Sequence, residues 1–141
     1  MAEGFRAPST AGKAPAQVSG VILLVDDESD ILTSFKQFLE MSLPQVKVLT
    51  ADSGEAGLKV LESNKVQLII SDYKMPGMNG LEFLRAAADV AHDVPRILIT
   101  AFPKLDLAIQ AINVVSVDRF LTKPIQPEQM LDAVRTLMAQ K

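Results

Sequence analysis

The chain contains no cysteine. That absence excludes a disulfide framework, thiolate metal sites and cysteine nucleophiles, and it is compatible with a reducing, cytoplasmic setting. No stretch approaches the roughly 20 apolar residues of a membrane span. The opening MAEGFRAPSTAGKAPAQVSG also lacks the apolar run of a signal peptide. Positive charge is not in excess. Fourteen Lys and Arg against 17 Asp and Glu give a net charge of −3, which argues against a direct nucleic-acid partner, because phosphate binding wants a basic face. His92 is the only histidine; it falls in an expected loop and reads as a surface residue rather than a catalytic one.

What is present fits one globular domain. The 141 residues are 48% apolar and 22% charged, enough to bury a core without staples. Residues 1–19 are rich in Ala, Pro, Gly and Ser, with Phe5 the one large apolar residue before Val18. Such a segment buries too little to offset its ordering entropy, so it is expected to be a flexible tail. The folded unit is expected from Gly20 to Lys141.

Five short apolar runs follow: VILLV at 21–25, VKVLTA at 46–51, VQLIIS at 66–71, RILIT at 96–100 and VDRFLT at 117–122. The first, third and fourth are nearly continuous, as strands covered on both faces should be. Between the runs lie helical periods: Ile31, Phe35, Phe38 and Leu39; Leu58 and Leu61; Leu81 and Leu84; Leu105, Ala108, Ile109 and Ile112; Met130, Val134, Leu137 and Met138. Ser53 is a candidate cap, Asn79 with Glu82 makes a capping-box pattern, and Pro103 and Pro127 suit first helical positions. Strict β–α alternation predicts an α/β fold, a doubly wound parallel sheet of five βα units with the flavodoxin-like strand order 2-1-3-4-5.

Ligands of such sheets bind outside the carboxyl ends of the strands. The first strand ends in Asp26 and Asp27, the third in Asp72, the fourth in Thr100, and the fifth in Thr122 and Lys123. Each has a plain alternative: helix caps for Asp26 and Asp27, a turn for Asp72, a β-former in Thr100, a solvated Lys123. Together they are hard to explain that way, since independent caps would not leave a hydroxyl and an ammonium at the two remaining strand ends. Clustered carboxylates repel one another, and a hard divalent cation such as Mg²⁺ relieves that. An Asp carboxylate can itself be a nucleophile and form an acyl phosphate. Asp72 is the best placed, because strand 3 lies between strands 1 and 4.

The motifs LLVDDE at 23–28, SDYKMPGMNGLEFL at 71–84, LITA at 98–101 and RFLTKP at 119–124 resemble those of receiver domains of two-component response regulators, the family to which the chemotaxis regulator belongs. That regulator is the standard example of this strand order, so the order is not an independent expectation. The resemblance implies that Asp72 accepts a phosphoryl group from a phosphohistidine of a sensor histidine kinase or phosphotransfer protein. The domain would catalyse its own phosphorylation and dephosphorylation rather than turn over a separate substrate. It implies Mg²⁺ held by Asp27, Asp72 and the backbone carbonyl of Lys74, with Asp26 acting through a water. Thr100, Lys123 and the Ala101 N–H would engage the phosphoryl group, and Lys123 would precede a cis bond to Pro124. Lys74 and Phe102 flank the site at positions that resemble those tuning phosphoryl lifetime.

Phe120 matches the aromatic whose inward turn accompanies activation and reshapes the face of the fourth helix, fifth strand and last helix toward a downstream protein; a plain core aromatic is the alternative. Phe120 lacks the hydroxyl many relatives carry. Where relatives often place a glycine before strand 5, this chain has Asn113, Val114, Val115 and Ser116, with Asn113 expected to take the left-handed conformation. Val114 and Val115, if exposed, would suit docking or phosphorylation-dependent dimerisation; ordinary packing is the alternative. A pseudo-receiver that never carries phosphate is the competing class. An aspartate-dependent phosphatase fits poorly, having neither the Asp spacing nor room for a cap domain, and a flavin phosphate would be repelled by the acidic loop after strand 1.

Overall fold

The computed structural model describes residues 18–101 and 116–139. Its elements run β1 (Gly20–Val25), α1 (Ser29–Ser42), β2 (Val46–Ala51), α2 (Gly54–Ser63), β3 (Leu68–Asp72), α3 (Gly80–Val90), β4 (Arg96–Thr100), β5 (Arg119–Thr122) and a C-terminal helix (Pro127–Ala139). The five strands are parallel, in the order β2-β1-β3-β4-β5. The fourth expected helix, with Phe102, Pro103, Asn113, Val114 and Val115, lies outside the described residues.

Side-chain alternation divides the sheet between two cores. Ile22, Leu24, Leu68, Ile70, Ile97 and Ile99 face α1 and the C-terminal helix, meeting Leu32, Leu39, Met130 and Val134. Leu23, Val25, Ile69 and Leu98 face α2 and α3, meeting Leu61, Phe83, Leu84 and Ala87. Every residue of β3 and β4 is buried, which is why their sequence runs are continuous. Two expected strand starts are corrected: Val66 and Val117 are buried but precede β3 and β5. They plug one core from a loop, so their apolar character reports burial and not ladder pairing. Val18, expected in the tail, packs against the other core.

The caps form as expected. Ser53 Oγ accepts from the Ala56 N–H at 3.0 Å, and Asn79 and Glu82 exchange side chain-to-backbone bonds of 2.9 Å. Ahead of β5 the left-handed residue within the described chain is Ser116, at φ 59°. It occupies a conformation that glycine takes without penalty.

β2 lies at the edge of the sheet, and α1 closes that edge. Lys36 Nζ donates to the Val48 carbonyl at 2.6 Å, while Glu40 Oε2 accepts from the Val48 N–H at 2.8 Å. Lys36 and Glu40 pair with each other at 3.0 Å, and the Val46 N–H is taken up by the Leu43 carbonyl. Such groups would otherwise template pairing with another chain. The Val48 N–H, followed by Lys36, holds the Glu40 carboxyl below its usual range. Glu40→Ala is expected to lower the unfolding free energy by up to about 1 kcal/mol. Amide exchange should accelerate at Val48 and not at Val46; equal protection at Val48 in both proteins would refute the closure.

Candidate metal and phosphoryl site

The register brings the strand ends together. Val25 lies opposite Ser71, Asp72 opposite Ile99, and Thr100 opposite Thr122. Asp26 and Asp27 therefore leave β1 beside the end of β3, and Lys123 leaves β5 one strand beyond Thr100. Asp26, Asp27 and Asp72 each place a carboxylate oxygen within 4.8 Å of the others. Asp26 is 1% exposed and Asp72 4%, whereas Asp27 faces solvent at the mouth. Lys123 Nζ donates to Asp72 Oδ2 at 3.1 Å and lies 3.7 Å from Asp26 Oδ2. The Lys123–Pro124 bond is cis.

Neither acid of the pair is the cap of α1. That position is held by Glu28, which makes no side-chain cap bond. Asp26 Oδ1 accepts from the Glu28 N–H at 2.9 Å, which fixes the carboxylate at the base of the loop. The Asp26 N–H donates to the Ala51 carbonyl, and the Tyr73 N–H to the Ile99 carbonyl. Gly80 opens α3 directly against the strand end. Its N–H donates to the Tyr73 carbonyl at 2.7 Å. A Cβ at this position would run into the Asp72 carbonyl oxygen and come within 2.8 Å of Tyr73 Cα, so any side chain here would displace Asp72.

Asp27, Glu28, Asp72, Lys74, Met75, Pro76, Ala101 and Lys123 line a cleft of about 450 Å³. Thr100 is buried at 4% exposure, one residue before Ala101. Its carbonyl accepts from the Lys123 N–H at 3.0 Å. Phe120 lies opposite Leu98 and is half-buried against the core on the α2 and α3 side. The sequence reading gave Glu28 no role, yet its Oε1 is 3.6 Å from Lys123 Nζ; the signal available was a third acid after Asp26 and Asp27. Gly80 was visible only as part of a motif.

Burial dominates the electrostatics. It pushes Asp26 up to about 6, reinforced by the Asp72 charge and opposed by the Glu28 N–H and Lys123. Burial also raises Asp72, against the hydrogen bond and charge of Lys123. For Lys123 burial works the other way, but the Asp72 hydrogen bond and the surrounding carboxylates outweigh it and raise the pKa. Two buried acids sharing one ammonium leave negative charge under-compensated. Three carboxylates, one of them facing solvent, are the hard oxygen donors that Mg²⁺ prefers, and Lys74 lines the same cleft.

The raised Asp26 value gives a signed expectation. The fold favours the protonated acid, so its contribution to stability is present below roughly pH 4 and is lost as pH rises through about 6. Asp26→Asn, which keeps an acceptor for the Glu28 N–H, is expected to stabilise the metal-free protein at pH 7.5 by about 1–2 kcal/mol. Added Mg²⁺ should narrow the gap by stabilising the native chain. Thermal unfolding against pH, with chelator and with Mg²⁺, checks this; a variant no more stable than the native chain in chelator would refute it.

Comparison with known proteins agrees with this geometry. The family described as the response regulator receiver domain matches residues 22–135. The C4-dicarboxylate transport transcriptional regulatory protein DctD of Pseudomonas aeruginosa is 33% identical over 122 residues, covering 86% of this chain and 26% of that protein. The cyclic di-GMP phosphodiesterase response regulator RpfG of Xanthomonas campestris is 34% identical over 111 residues, covering 77% and 29%. The chain thus spans less than a third of the length of these curated relatives. A CheY-like receiver domain from Methanospirillum hungatei superposes with a TM-score of 0.81 at 29% identity, covering 86% of this chain and 95% of that one. Sequence, sheet order and acidic cleft together show that the chain belongs to the receiver domains of two-component response regulators.

Proposed function

We propose that Asp72 is the phosphoryl acceptor and that the domain is a switch driven by its phosphorylation. The donor is a phosphohistidine of a sensor histidine kinase or phosphotransfer protein. The P–N bond of the donor breaks as a bond forms between phosphorus and an Asp72 carboxylate oxygen, and the imidazole leaves. The observation that carries this reading is the seat of Asp72, nearly sealed from water, beside two further carboxylates and 3.1 Å from Lys123 Nζ.

Asp27, Asp72 and the Lys74 carbonyl would hold Mg²⁺, with Asp26 acting through a water, and the ion would supply charge neutralisation for the transferred group. Lys123 exchanges its bond to Asp72 for one to a phosphoryl oxygen, and the Ala101 N–H adds a second donor. Thr100 then turns its hydroxyl toward the phosphoryl group, and Phe120 repacks behind it. The face around β5 is what a downstream protein, or a second copy of the chain, would read. The two relatives are named for a transcriptional output and for a cyclic di-GMP phosphodiesterase output, so we read this unit as an input module whose output is set by what it contacts.

Incubation with phosphoramidate or acetyl phosphate and Mg²⁺ is expected to add one phosphate to the native chain, read by intact mass. Asp72→Asn or chelation of Mg²⁺ should abolish the adduct. Lys123→Ala should slow its formation by roughly 10²-fold, the usual loss for one transition-state charge donor. A native chain that takes no phosphate would favour the pseudo-receiver instead.

A further inference from the structure

We infer that the turn from β2 into α2, and Gly54 in particular, is a positioning platform for the metal site, an inference that rests on the function proposed above. The loop at 73–79 supplies Lys74, Met75 and Pro76 to the cleft. Its ends are fixed where the Tyr73 carbonyl accepts the Gly80 N–H and where Asn79 caps α3. Met75 is buried in the core beside Lys74, and Met78, the residue before Asn79, has a further support. A Cβ at Gly54 would fall 2.7 Å from Met78 Sδ and 3.1 Å from Met78 Cγ, so the methionine occupies the hollow left by the missing side chain. Gly77, at φ +74°, lies over the neighbouring Glu55: a Cβ there would be 3.7 Å from the Glu55 carboxylate.

The same turn also holds the other half of the site. The Ala51 carbonyl accepts the Asp26 N–H at 3.1 Å, three residues before Gly54. Asp26 and the Lys74 loop approach the cleft from different strands, yet one rests on the Ala51 carbonyl and the other on the Gly54 hollow. Gly54 touches none of the reacting atoms. It acts through Met78 on the spacing between the Lys74 carbonyl and the carboxylates. A methyl at 54 either evicts the Met78 side chain or lifts the loop. Both act on one wall of the cleft, and Phe83 Cβ lies 3.2 Å from the same point.

The test is Mg²⁺ affinity by calorimetric titration, with thermal unfolding recorded on each protein. Gly54→Ala is expected to weaken Mg²⁺ binding by roughly 10-fold, the low end of outer-sphere effects, and to slow phosphorylation by phosphoramidate in proportion. Met78→Ala should weaken binding too. Because the new methyl refills part of the vacated hollow, Gly54→Ala/Met78→Ala should bind no worse than the weaker single variant, a clear departure from additivity. Ser53→Ala, which removes the adjacent cap and leaves the seat intact, should lower the melting temperature and leave affinity within about twofold. Native affinity in Gly54→Ala, full additivity, or an equal loss in Ser53→Ala would each overturn the platform and leave the phosphoryl-acceptor reading standing. A native chain that binds no Mg²⁺ would overturn both.

Discussion

Two carboxylates, Asp26 and Asp72, are held almost out of water with one ammonium between them, and most of the molecule can be read as what that arrangement requires. A lone buried acid would simply protonate. Here burial drives both acids in that direction while Lys123 restrains them, so charge compensation is left incomplete. That deficit is useful. A site already neutral would gain little from a cation, and it is a cation taking over the carboxylates that would free the ammonium for an incoming anion. Holding like charges this close needs a rigid frame, and a parallel sheet buried on both faces supplies one.

The frame was legible because its signals are additive along the chain. Continuous apolar runs mark β3 and β4, which are sealed on both sides, and the mixed run at 46–51 marks the edge strand β2. The reading failed where burial and ladder pairing part company. Val66 and Val117 are core residues held by loops, and periodicity alone does not separate these cases. Leu32 is buried in α1 although the helical stripe taken from Ile31, Phe35, Phe38 and Leu39 passed it by.

The site was legible for a different reason: strand ends in this fold class converge, so chemistry-bearing residues there can be listed before any coordinate is known. Depth was not legible. Asp26 and Asp27 are adjacent and chemically identical, yet one is sealed and the other faces solvent. Thr100 is covered while Ala101 lines the cleft. Contacts made by the absence of a side chain are quieter still. Gly54 and Gly80 matter because of the atoms that occupy their missing Cβ positions, and only the packed structure reveals those neighbours.

These supports also bear on which side of the cleft would respond if Lys123 changed partner in the proposed switch. The acid side is clamped: Asp26 by the Ala51 carbonyl, and the end of β3 by Gly80 wedged against Asp72 and Tyr73. Lys123 is held by its backbone N–H to the Thr100 carbonyl and by its ammonium to the acids. If the proposed phosphoryl group draws that ammonium away, the change reaches the Thr100–Lys123 junction, where the Lys123 N–H donates to the Thr100 carbonyl. β4 and β5 meet there, with Phe120 two residues before Thr122 and half-buried against its core. A half-buried aromatic at this junction is what the proposed switch would use as its bistable element. In the proposed switch the signal would therefore leave from the lysine side of the cleft, along β4 and β5, and not through the acids that the Ala51 carbonyl and Gly80 hold.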